Sequence, residues 1–290
     1  MKALKAITLI LWGVAKMSKL LSADFKRMWK NKFFLIGMAF MFVIGVFMPV
    51  MNFISNQQDR YGLRLDDGFF ACVVFIGFIL AVLCSLFIGT DYSDGTIRNK
   101  ITTGQNRTAI YLSNLITCTV SGAVMCMLYF VTFLCVGIPL LGFFKTEIKT
   151  IALFVLGVFM LTICFSAIFT SIAMLNQNKT ITAIVCILGI VMLLAAGVYI
   201  HAQLNKSETL SGYTITADGD TALMEGPNPE YVGGTKRQIY QFIDDFLPGG
   251  QMVQMCMSAS IPWYLPLYSC IIAVAATGTG IAIFKKKDLK

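Results

Sequence analysis

Residues that could do covalent or metal chemistry are few in this chain of 290 residues. There is one histidine, His201, and none of the nine cysteines belongs to a CxxC pair. Metal sites and thiol catalysis need such residues clustered at short spacing, so we predict no metal site, no disulfide framework and no catalytic residue. His201 is expected to lack a catalytic partner, and the cysteines are expected to pack as small apolar side chains.

A phosphate-binding loop of the form GxxxxGK[ST] does not occur in the sequence. Such a loop holds nucleotide phosphates through its backbone amides and its lysine. We therefore predict that the chain is not an enzyme and binds no ATP or other cofactor itself.

The most informative charged segment between the apolar stretches is Gly89–Arg107, with the sequence GTDYSDGTIRNKITTGQNR. Ser93 or Asp94 could cap the start of a short helix, and Gly104 with Asn106 should separate that helix from the next apolar stretch. A rigid, exposed helix of this kind is suited to contact with a second protein. Any polar loop between two membrane spans could also contain such a helix, so both interpretations stay open.

Two polar stripes at helical spacing interrupt otherwise apolar segments. Such stripes could line a translocation path, or they could form hydrogen bonds between neighbouring helices, which is the commoner role. The candidates are Asn114, Thr117 and Ser121 on one segment and Thr162, Ser166 and Thr170 on another.

The elements that must position these residues are six long apolar stretches. The chain is 57% apolar and 13% charged, and all 23 basic and 15 acidic residues lie outside the six stretches. Because a charge in the bilayer centre is costly and about 20 helical residues span the hydrocarbon, an all-α integral membrane protein with six transmembrane helices is predicted. The predicted spans are Phe33–Ile54, Phe69–Gly89, Tyr111–Leu134, Ile151–Leu175, Thr180–Ile200 and Trp263–Phe284.

Orientation follows from the basic residues in the connecting segments. With the N-terminus inside, 16 basic residues lie on the cytoplasmic side and seven on the other. Since basic loops stay in the cytoplasm, both termini are predicted to be cytoplasmic. The net charge of +8 is thus attributed to orientation and to anionic lipid headgroups, with no nucleic acid as partner.

The cytoplasmic N-terminal region, residues 1–32, is predicted to contain an amphipathic helix lying in the membrane interface. Apolar residues recur at i, i+4, i+7 and i+8, and basic residues occupy the other side. The residues assigned to this helix are Leu21, Phe25, Arg27, Met28 and Trp29.

Residues 1–16 resemble a short signal peptide, with two lysines before an apolar stretch. No small-residue cleavage site follows that stretch, so we predict that the segment is not cleaved. Met17 is a second plausible start of the protein.

Spans one to five, with the coupling loop at 90–110, occupy residues 33–201, and the long outer loop covers residues 202–262. The first half of that loop predicts a β-hairpin with a type I′ turn at Asp218–Gly219. Its second half is amphipathic around Ile239 and Phe242, and Pro248–Gly250 should end that helix before a Met-rich stretch. These helices should either dip into the outer leaflet or cap the bundle. Residues 263–290 supply span six and a basic cytoplasmic tail.

No predicted span contains a charged residue, whereas ion-coupled carriers usually need one inside the membrane. The energy source is therefore expected in another chain. A passive bundle, a channel and the membrane half of a larger machine remain as alternatives.

Four segments together resemble the permease subunit of bacterial ABC-2 exporters, most closely permeases that export peptides or confer immunity to bacitracin- and lantibiotic-like antibiotics. One departure is Asp91, where that family usually carries glutamate. The four segments are the basic amphipathic stretch 20–32, the motif Asp91–Lys100 (DYSDGTIRNK), the stretch Phe246–Gln251 (FLPGGQ) and the tail Phe284–Lys290 (FKKKDLK).

The resemblance implies an assembly of two permeases, as a homodimer or heterodimer, with two cytoplasmic ABC ATPase subunits that bind ATP and Mg²⁺. It also implies location in the bacterial plasma membrane. The interfacial helix and the charged inner loop would contact the ATPases. The residues expected to make the coupling are Asp91, Tyr92, Asp94, Gly95, Thr96, Arg98, Lys100 and Arg107.

The substrate expected from the resemblance and from the uncharged spans is an amphipathic or antimicrobial peptide. A drug or lipid exporter is one alternative. The other is a protein that does not transport but binds peptide at the outer face, as an immunity protein or a sensor.

Overall fold

The computed structural model describes residues 17–59, 62–215, 221–258 and 260–287. The predictions for residues 1–16, for the turn at Asp218–Gly219 and for residues 288–290 of the tail lie outside this range. Within the described residues the chain is helical, apart from one two-stranded sheet.

Most of the described helices are joined by short loops. The exception is the last long helix, which is separated from the preceding long helix by two strands and two shorter helices. In chain order they are α1 (17–29), α2 (Lys32–Asp59), α3 (Cys72–Ser93), α4 (Thr96–Thr102), α5 (Arg107–Leu141), α6 (Ile148–Leu175) and α7 (Lys179–Leu204), then strands β1 (Thr209–Ile215) and β2 (Thr221–Pro227), then α8 (Gly234–Phe246), α9 (Pro248–Met257) and α10 (Leu265–Lys286).

Six of these helices, α2, α3, α5, α6, α7 and α10, are long and apolar enough to cross a membrane, which confirms the six predicted membrane-capable segments. Their most apolar 18-residue windows have mean hydropathies from 1.9 to 2.8. Several helices run beyond the charge-free stretches because a helix can continue into the polar interface. As a result α3 includes Asp91, and α5 begins at Arg107.

The six long helices pack with α3 at the centre. In α3, 67% of the apolar window is buried, against 22% in α7 and in α10. α3 packs on α6 and α7, α6 packs on α10, and α2 packs on α5. The apolar side chains left exposed on α2, α7 and α10 therefore form a surface suited to lipid or to another membrane subunit.

α1 and α4 lie at one end of the bundle, called here the α4 end. The expected helix cap at Ser93 or Asp94 is wrong, because Gly95 precedes α4 with φ 67° and no side chain caps the helix. Glycine adopts this left-handed conformation without the cost that a β-carbon brings. The expected break after α4 is confirmed, since Asn106 caps α5 by accepting a hydrogen bond from the Thr108 amide at 3.1 Å.

The face that α1 turns toward the bundle differs from the predicted apolar stripe. Leu20, Asp24 and Met28, at i, i+4 and i+8, are the buried residues of this helix. Of the predicted stripe, Met28 is buried, whereas 57% of the Trp29 surface is exposed. Met28 of the predicted stripe therefore packs on protein, whereas Trp29 is exposed and can lie in the membrane interface.

The segment between α7 and α10 lies at the opposite end, called here the hairpin end. β1 and β2 pair antiparallel from Thr209↔Pro227 to Ile215↔Thr221, where the sequence predicted a hairpin. α8 then leads directly into α9. The predicted end of the amphipathic helix before Pro248–Gly250 is confirmed, since α8 ends at Phe246. Pro248 then occupies the first turn of a new helix, α9, where a missing N–H costs no hydrogen bond.

The apolar face of α8 is largely exposed, although its Phe242 and Phe246 rings contact Tyr268 of α10. Ile239, Phe242, Ile243 and Phe246 are all substantially exposed, while Asp244 on the opposite face is buried. Of the two roles expected for this helix, an exposed apolar face agrees with the outer leaflet and disagrees with capping the bundle.

α9 enters the bundle and lies against the middle of α7. A β-carbon on Gly249 would collide with the backbone carbonyl of Leu193, and one on Gly197 would collide with the backbone of Gly249. Leu193 is eleven residues before the end of α7 at Leu204, which is about 16 Å at 1.5 Å per residue. α8 and α9 therefore form a re-entrant hairpin that reaches about half the length of α7.

Candidate functional site

The predicted coupling residues lie where α3 ends, along α4 and at the start of α5. The structure separates them into side chains that turn into the bundle and side chains that remain at the surface. Asp91 is completely buried, and Tyr92, Lys100 and Arg107 are partly buried. Asp94 and Arg98 are exposed.

A buried ionic cluster joins four helices at the α4 end. Arg27 of α1 forms a salt bridge with Asp91 of α3. The Lys100 Nζ of α4 lies 2.8 Å from Asp24 Oδ1 of α1 and 3.4 Å from Asp91 Oδ2. The Ser113 hydroxyl of α5 donates to Asp24 Oδ2 at 2.6 Å. We call Asp24, Arg27, Asp91, Lys100 and Ser113 the inner ionic cluster.

The inner ionic cluster contains two acids and two bases, so its formal charge is balanced. Burial lowers the pKa of Lys100, while Asp24 opposes that change. Burial likewise lowers the pKa of Arg27, again opposed by Asp24, and its guanidinium lies 3.9 Å from the centre of the Phe87 ring. Removing one partner would leave an unpaired buried charge, which is far costlier than losing an exposed ion pair.

Asp24 and Ser113 were not among the predicted site residues. Asp24 is one acid among several bases of α1, so the charge pattern hides it. A signal did exist, because Asp24 is four residues from both Leu20 and Met28 and so shares their buried face.

Two further predicted residues bind the ends of other helices. The Tyr92 hydroxyl donates to the Met174 carbonyl at 2.6 Å, at the end of α6. The Arg107 Nη1 donates to the carbonyls of Phe284 and Lys285 at 3.1 Å each, at the end of α10. Since helix C-termini carry carbonyls without intrahelical partners, these contacts stabilise both ends.

The surface of the α4 end contains a pocket of about 260 Å³ beside α4. Arg98 lies on its rim, and Gln177 contributes from the α6–α7 loop. Asp91 and Tyr92 lie at its inner side and belong to the contacts described above. The pocket thus adjoins the inner ionic cluster. Its lining residues are Asp91, Tyr92, Ser93, Gly95, Ile97, Arg98 and Gln177.

The six residues of the two polar stripes lie in the packed interior. All are at most 3% exposed, and several hydroxyls bond within their own helix. The Thr117, Ser121 and Thr162 hydroxyls donate to the carbonyls four residues earlier at 2.7 to 2.8 Å. A translocation path along Asn114, Thr117, Ser121, Thr162, Ser166 and Thr170 stays a prediction, and their burial favours a role in helix packing.

A second polar cluster lies at the hairpin end and corrects the expectation that His201 has no partner. The His201 Nδ1 lies 3.2 Å from Asp244 Oδ2, and the Gln254 amide donates to the same oxygen at 3.0 Å. Gln254 also donates to Asp245 Oδ1 at 2.9 Å, and the Tyr264 hydroxyl donates to Asp245 Oδ2 at 3.1 Å. We call these five residues the hairpin cluster.

Asp244 is 3% exposed and sits beside a membrane-capable helix. Burial raises its pKa, and the contacts with His201 and Gln254 oppose that rise. Although the six predicted spans contain no charged residue, α8 therefore places a buried carboxylate against α7. Among the described residues, no group of three or more His, Cys, Asp or Glu side chains could hold a metal ion.

The six membrane-capable helices indicate a multi-pass membrane protein. Residues 20–206 match the sequence model described as ABC-2 family transporter protein. Because this match covers more than half of the chain, the chain belongs to the ABC-2 transporter family. A search of curated proteins finds no match.

The family assignment identifies the chain as a membrane transport component. Permeases of this family generally partner with ATPase subunits and are typically not catalytic themselves. The matched residues run from α1 through α7 and so include the whole inner ionic cluster.

Proposed function

We propose that this chain is the permease subunit of an ATP-driven exporter of amphipathic peptides in the bacterial plasma membrane, with both termini in the cytoplasm. The ATP and Mg²⁺ would be held by separate ATPase subunits, and a second permease would complete the membrane part. Family membership supports the transport role.

The observation that carries the coupling is the inner ionic cluster. Lys100 of α4 contacts acids of α1 and α3, and Asp24 in turn accepts from Ser113 of α5. A displacement of α4 by an ATPase would therefore move α1, α3 and α5 with it. An ATPase can bias the equilibrium between two states only through contacts that differ between them. The pocket beside Arg98 is our candidate for such a contact.

Peptide as substrate is supported by the acidic character of the loop between α7 and α10, which contains seven acids and three bases. A segment with this excess of acids would favour cationic molecules, and Asp244 does not contribute because it is buried. Drug or lipid export, and peptide binding without transport, are the alternatives that the experiment below separates.

The test is purification of the chain with its genomic neighbours, followed by reconstitution into vesicles. We expect a stoichiometric ATPase partner whose turnover rises with a cationic amphipathic peptide and which drives that peptide across the membrane. Stimulation by lipid or drug alone would contradict the substrate. Peptide binding without any ATPase partner would contradict the exporter and favour a sensor.

The variant Arg98→Glu sharpens this test because Arg98 is exposed and makes no contact in the inner ionic cluster. We expect it to remain in the membrane and to lose ATPase coupling. Lys286→Glu is a matched control, since Lys286 is an exposed base at the same end of the bundle and does not line the pocket. Equal coupling in the two variants would contradict the assigned contact.

A further inference from the structure

A cleft of about 410 Å³ opens at the hairpin end of the bundle, between the α2–α3 loop, the α5–α6 loop and the end of α9. Small-molecule sites usually have volumes of roughly 300 to 1,000 Å³ and combine an apolar lining with a few polar groups. This cleft has a volume in that range, and its lining is more polar than is usual for such sites. Its charged rim is Arg64, Asp66 and Asp67, and its apolar part is Phe70, Ile151, Phe154, Met255 and Met257.

The α2–α3 loop that carries the charged rim is held by side chains of the bundle. Asn56 of α2 exchanges two hydrogen bonds with the backbone of Leu63, both 2.7 Å long. The Tyr129 hydroxyl of α5 donates to the Gly68 carbonyl at 2.8 Å, and Leu65 is fully buried. A site that is ordered before the ligand arrives loses less conformational entropy when the ligand binds. The attachment of this loop therefore favours a preorganised binding site.

The two carboxylates of the rim are oriented by backbone amides and keep capacity for a ligand. Asp67 Oδ2 accepts from the Arg64 amide at 2.7 Å, and Asp66 Oδ2 accepts from the Lys145 amide at 3.2 Å. Neither carboxylate, nor the Arg64 guanidinium, forms a salt bridge with a described residue. A carboxylate has about four acceptor positions, so each can still bind a cation.

The apolar part of the cleft combines rigid and adaptable side chains. The Phe70 and Phe154 rings are stacked, with centres 4.6 Å apart. Met255 is buried against α6, whereas 70% of the Met257 surface is exposed at the edge. Methionine is flexible and polarisable and adapts to varied apolar ligands. The exposed thioether beside fixed rings therefore suits an apolar side chain of a ligand.

We propose that this cleft binds a cationic amphipathic peptide at the hairpin end of the permease. A lysine or arginine side chain of the peptide contacts Asp66 and Asp67, and an apolar side chain lies against Phe70 and Met257. Arg64 binds a peptide carbonyl or carboxylate. This inference rests on the proposed function for the nature of the substrate, but binding itself needs no ATPase.

The first test measures binding of arginine naphthylamide to the full chain in nanodiscs by calorimetry. This probe carries a guanidinium beside an aromatic ring, and glutamate naphthylamide presents the same ring with a carboxylate. We expect saturable binding of the arginine probe, and binding of the glutamate probe at least about tenfold weaker, as a lost charged hydrogen bond implies. Equal binding of the two probes, or no binding of the arginine probe, would overturn the proposal.

The second test removes charge while keeping the shape of each side chain and one acceptor oxygen. The double variant Asp66→Asn with Asp67→Asn should bind the arginine probe at least about tenfold more weakly. Glu147→Gln is the matched control, because Glu147 is an exposed acid of the α5–α6 loop that does not line the cleft. It should bind as the wild type does. An equal loss of affinity in the double variant and in Glu147→Gln would show that the probe responds to the overall negative charge of this surface. That result would overturn the proposed site.

A third variant tests the location of the site independently, in case the double variant misfolds. Thr146→Trp places a bulky ring at the cleft from a surface loop and should abolish binding while the melting temperature stays unchanged. Retained binding would contradict the location. ATP-driven transport is measured separately, so loss of the cleft proposal would leave the exporter assignment intact, and the absence of an ATPase partner would leave the binding result intact.

Discussion

The Nδ1 atom of His201 in α7 lies 3.2 Å from the Oδ2 atom of Asp244 in α8. The two residues are 43 positions apart in the chain. Their contact fastens the re-entrant hairpin to a membrane-capable helix, and it places a carboxylate of α8 against α7.

Docking of α8 and α9 onto α7 is expected to become more stable as the pH falls through the raised pKa of Asp244 toward 3.8. Burial raises the pKa of Asp244 above its ordinary 3.8 when the hairpin is docked. Between the ordinary and the raised pKa, docked Asp244 binds a proton that undocked Asp244 has lost, so acid favours docking and the gain is lost as the pH rises through the raised value. Hydrogen exchange of the α9 amides against pH measures this.

Asp244→Asn should remove that pH dependence, because the amide keeps the shape of the side chain and cannot ionise. Glu208→Gln, which changes an exposed acid of the same segment between α7 and α10, should leave the dependence as it is in the wild type. An unaltered pH profile in Asp244→Asn would contradict the role assigned to this carboxylate.

Asp24→Ala is expected to destabilise the protein by about 3 kcal/mol, because it leaves Lys100 with an incomplete set of acids in a buried site. Adding Lys100→Met should recover more than half of that loss, since Arg27 and Asp91 then remain as a balanced pair. Unfolding in detergent, followed for both single variants and the double variant, measures the coupling. Asp94→Ala, which changes an exposed acid nearby, should shift stability by no more than about 0.5 kcal/mol.

Gly249→Ala should destabilise the docked hairpin by about 1 to 3 kcal/mol, as overpacking of an interior does. The obstacle is the Leu193 carbonyl, which belongs to the backbone and cannot rotate away. Gly189→Ala on α7 is the control, because a β-carbon there meets nothing within 4 Å. That variant should be neutral or more stable by up to about 1 kcal/mol. Similar melting temperatures for both variants would contradict the close contact of α9 with α7.

Gly95→Val should impair coupling to an ATPase, whereas Gly95→Asn should largely preserve it. Gly95 has φ 67°, and nothing lies within 4 Å of a β-carbon there, so the backbone conformation alone decides the outcome. Asparagine adopts this region several-fold more often than most residues, and a β-branched side chain is an outlier in it. Co-purified ATPase and its turnover are the readouts. Equal coupling in Val and Asn variants would show that the direction of α4 does not matter.

The six membrane-capable helices were predictable because hydrocarbon excludes charge, and this leaves a signal in every span. The end of α8 before Pro248 was also predictable, because proline disfavours helix in the residue before it. That Pro248 begins a second helix packed against α7 was not predictable, since proline is equally suited to the first turn of a helix. The deciding facts are Gly197 and Gly249, whose close contact belongs to tertiary packing.

For the candidate site, the sequence predicted the charged segment. It did not predict whether the side chains of that segment point into the bundle or toward a partner protein. Asp91 and Lys100 were predicted to face a partner protein, and the structure pairs them with Arg27 and Asp24 inside the chain. A charge in a loop is ordinarily solvated, so only the position of α1 against α3 and α5 shows that these are buried. Contacts across such sequence distances leave no local pattern.

The re-entrant hairpin also makes the protein unequal in the two halves of the bilayer. Because α9 extends only to about the middle of α7, the half at the hairpin end contains additional helices that the half at the α4 end lacks. A helix with its side chains is about 10 to 12 Å across. α8 and α9 therefore occupy area in the lipid monolayer at the hairpin end, and the lateral pressure of that monolayer should act on them. Membrane curvature and lipid shape are consequently variables that would shift the balance between docked and undocked hairpins.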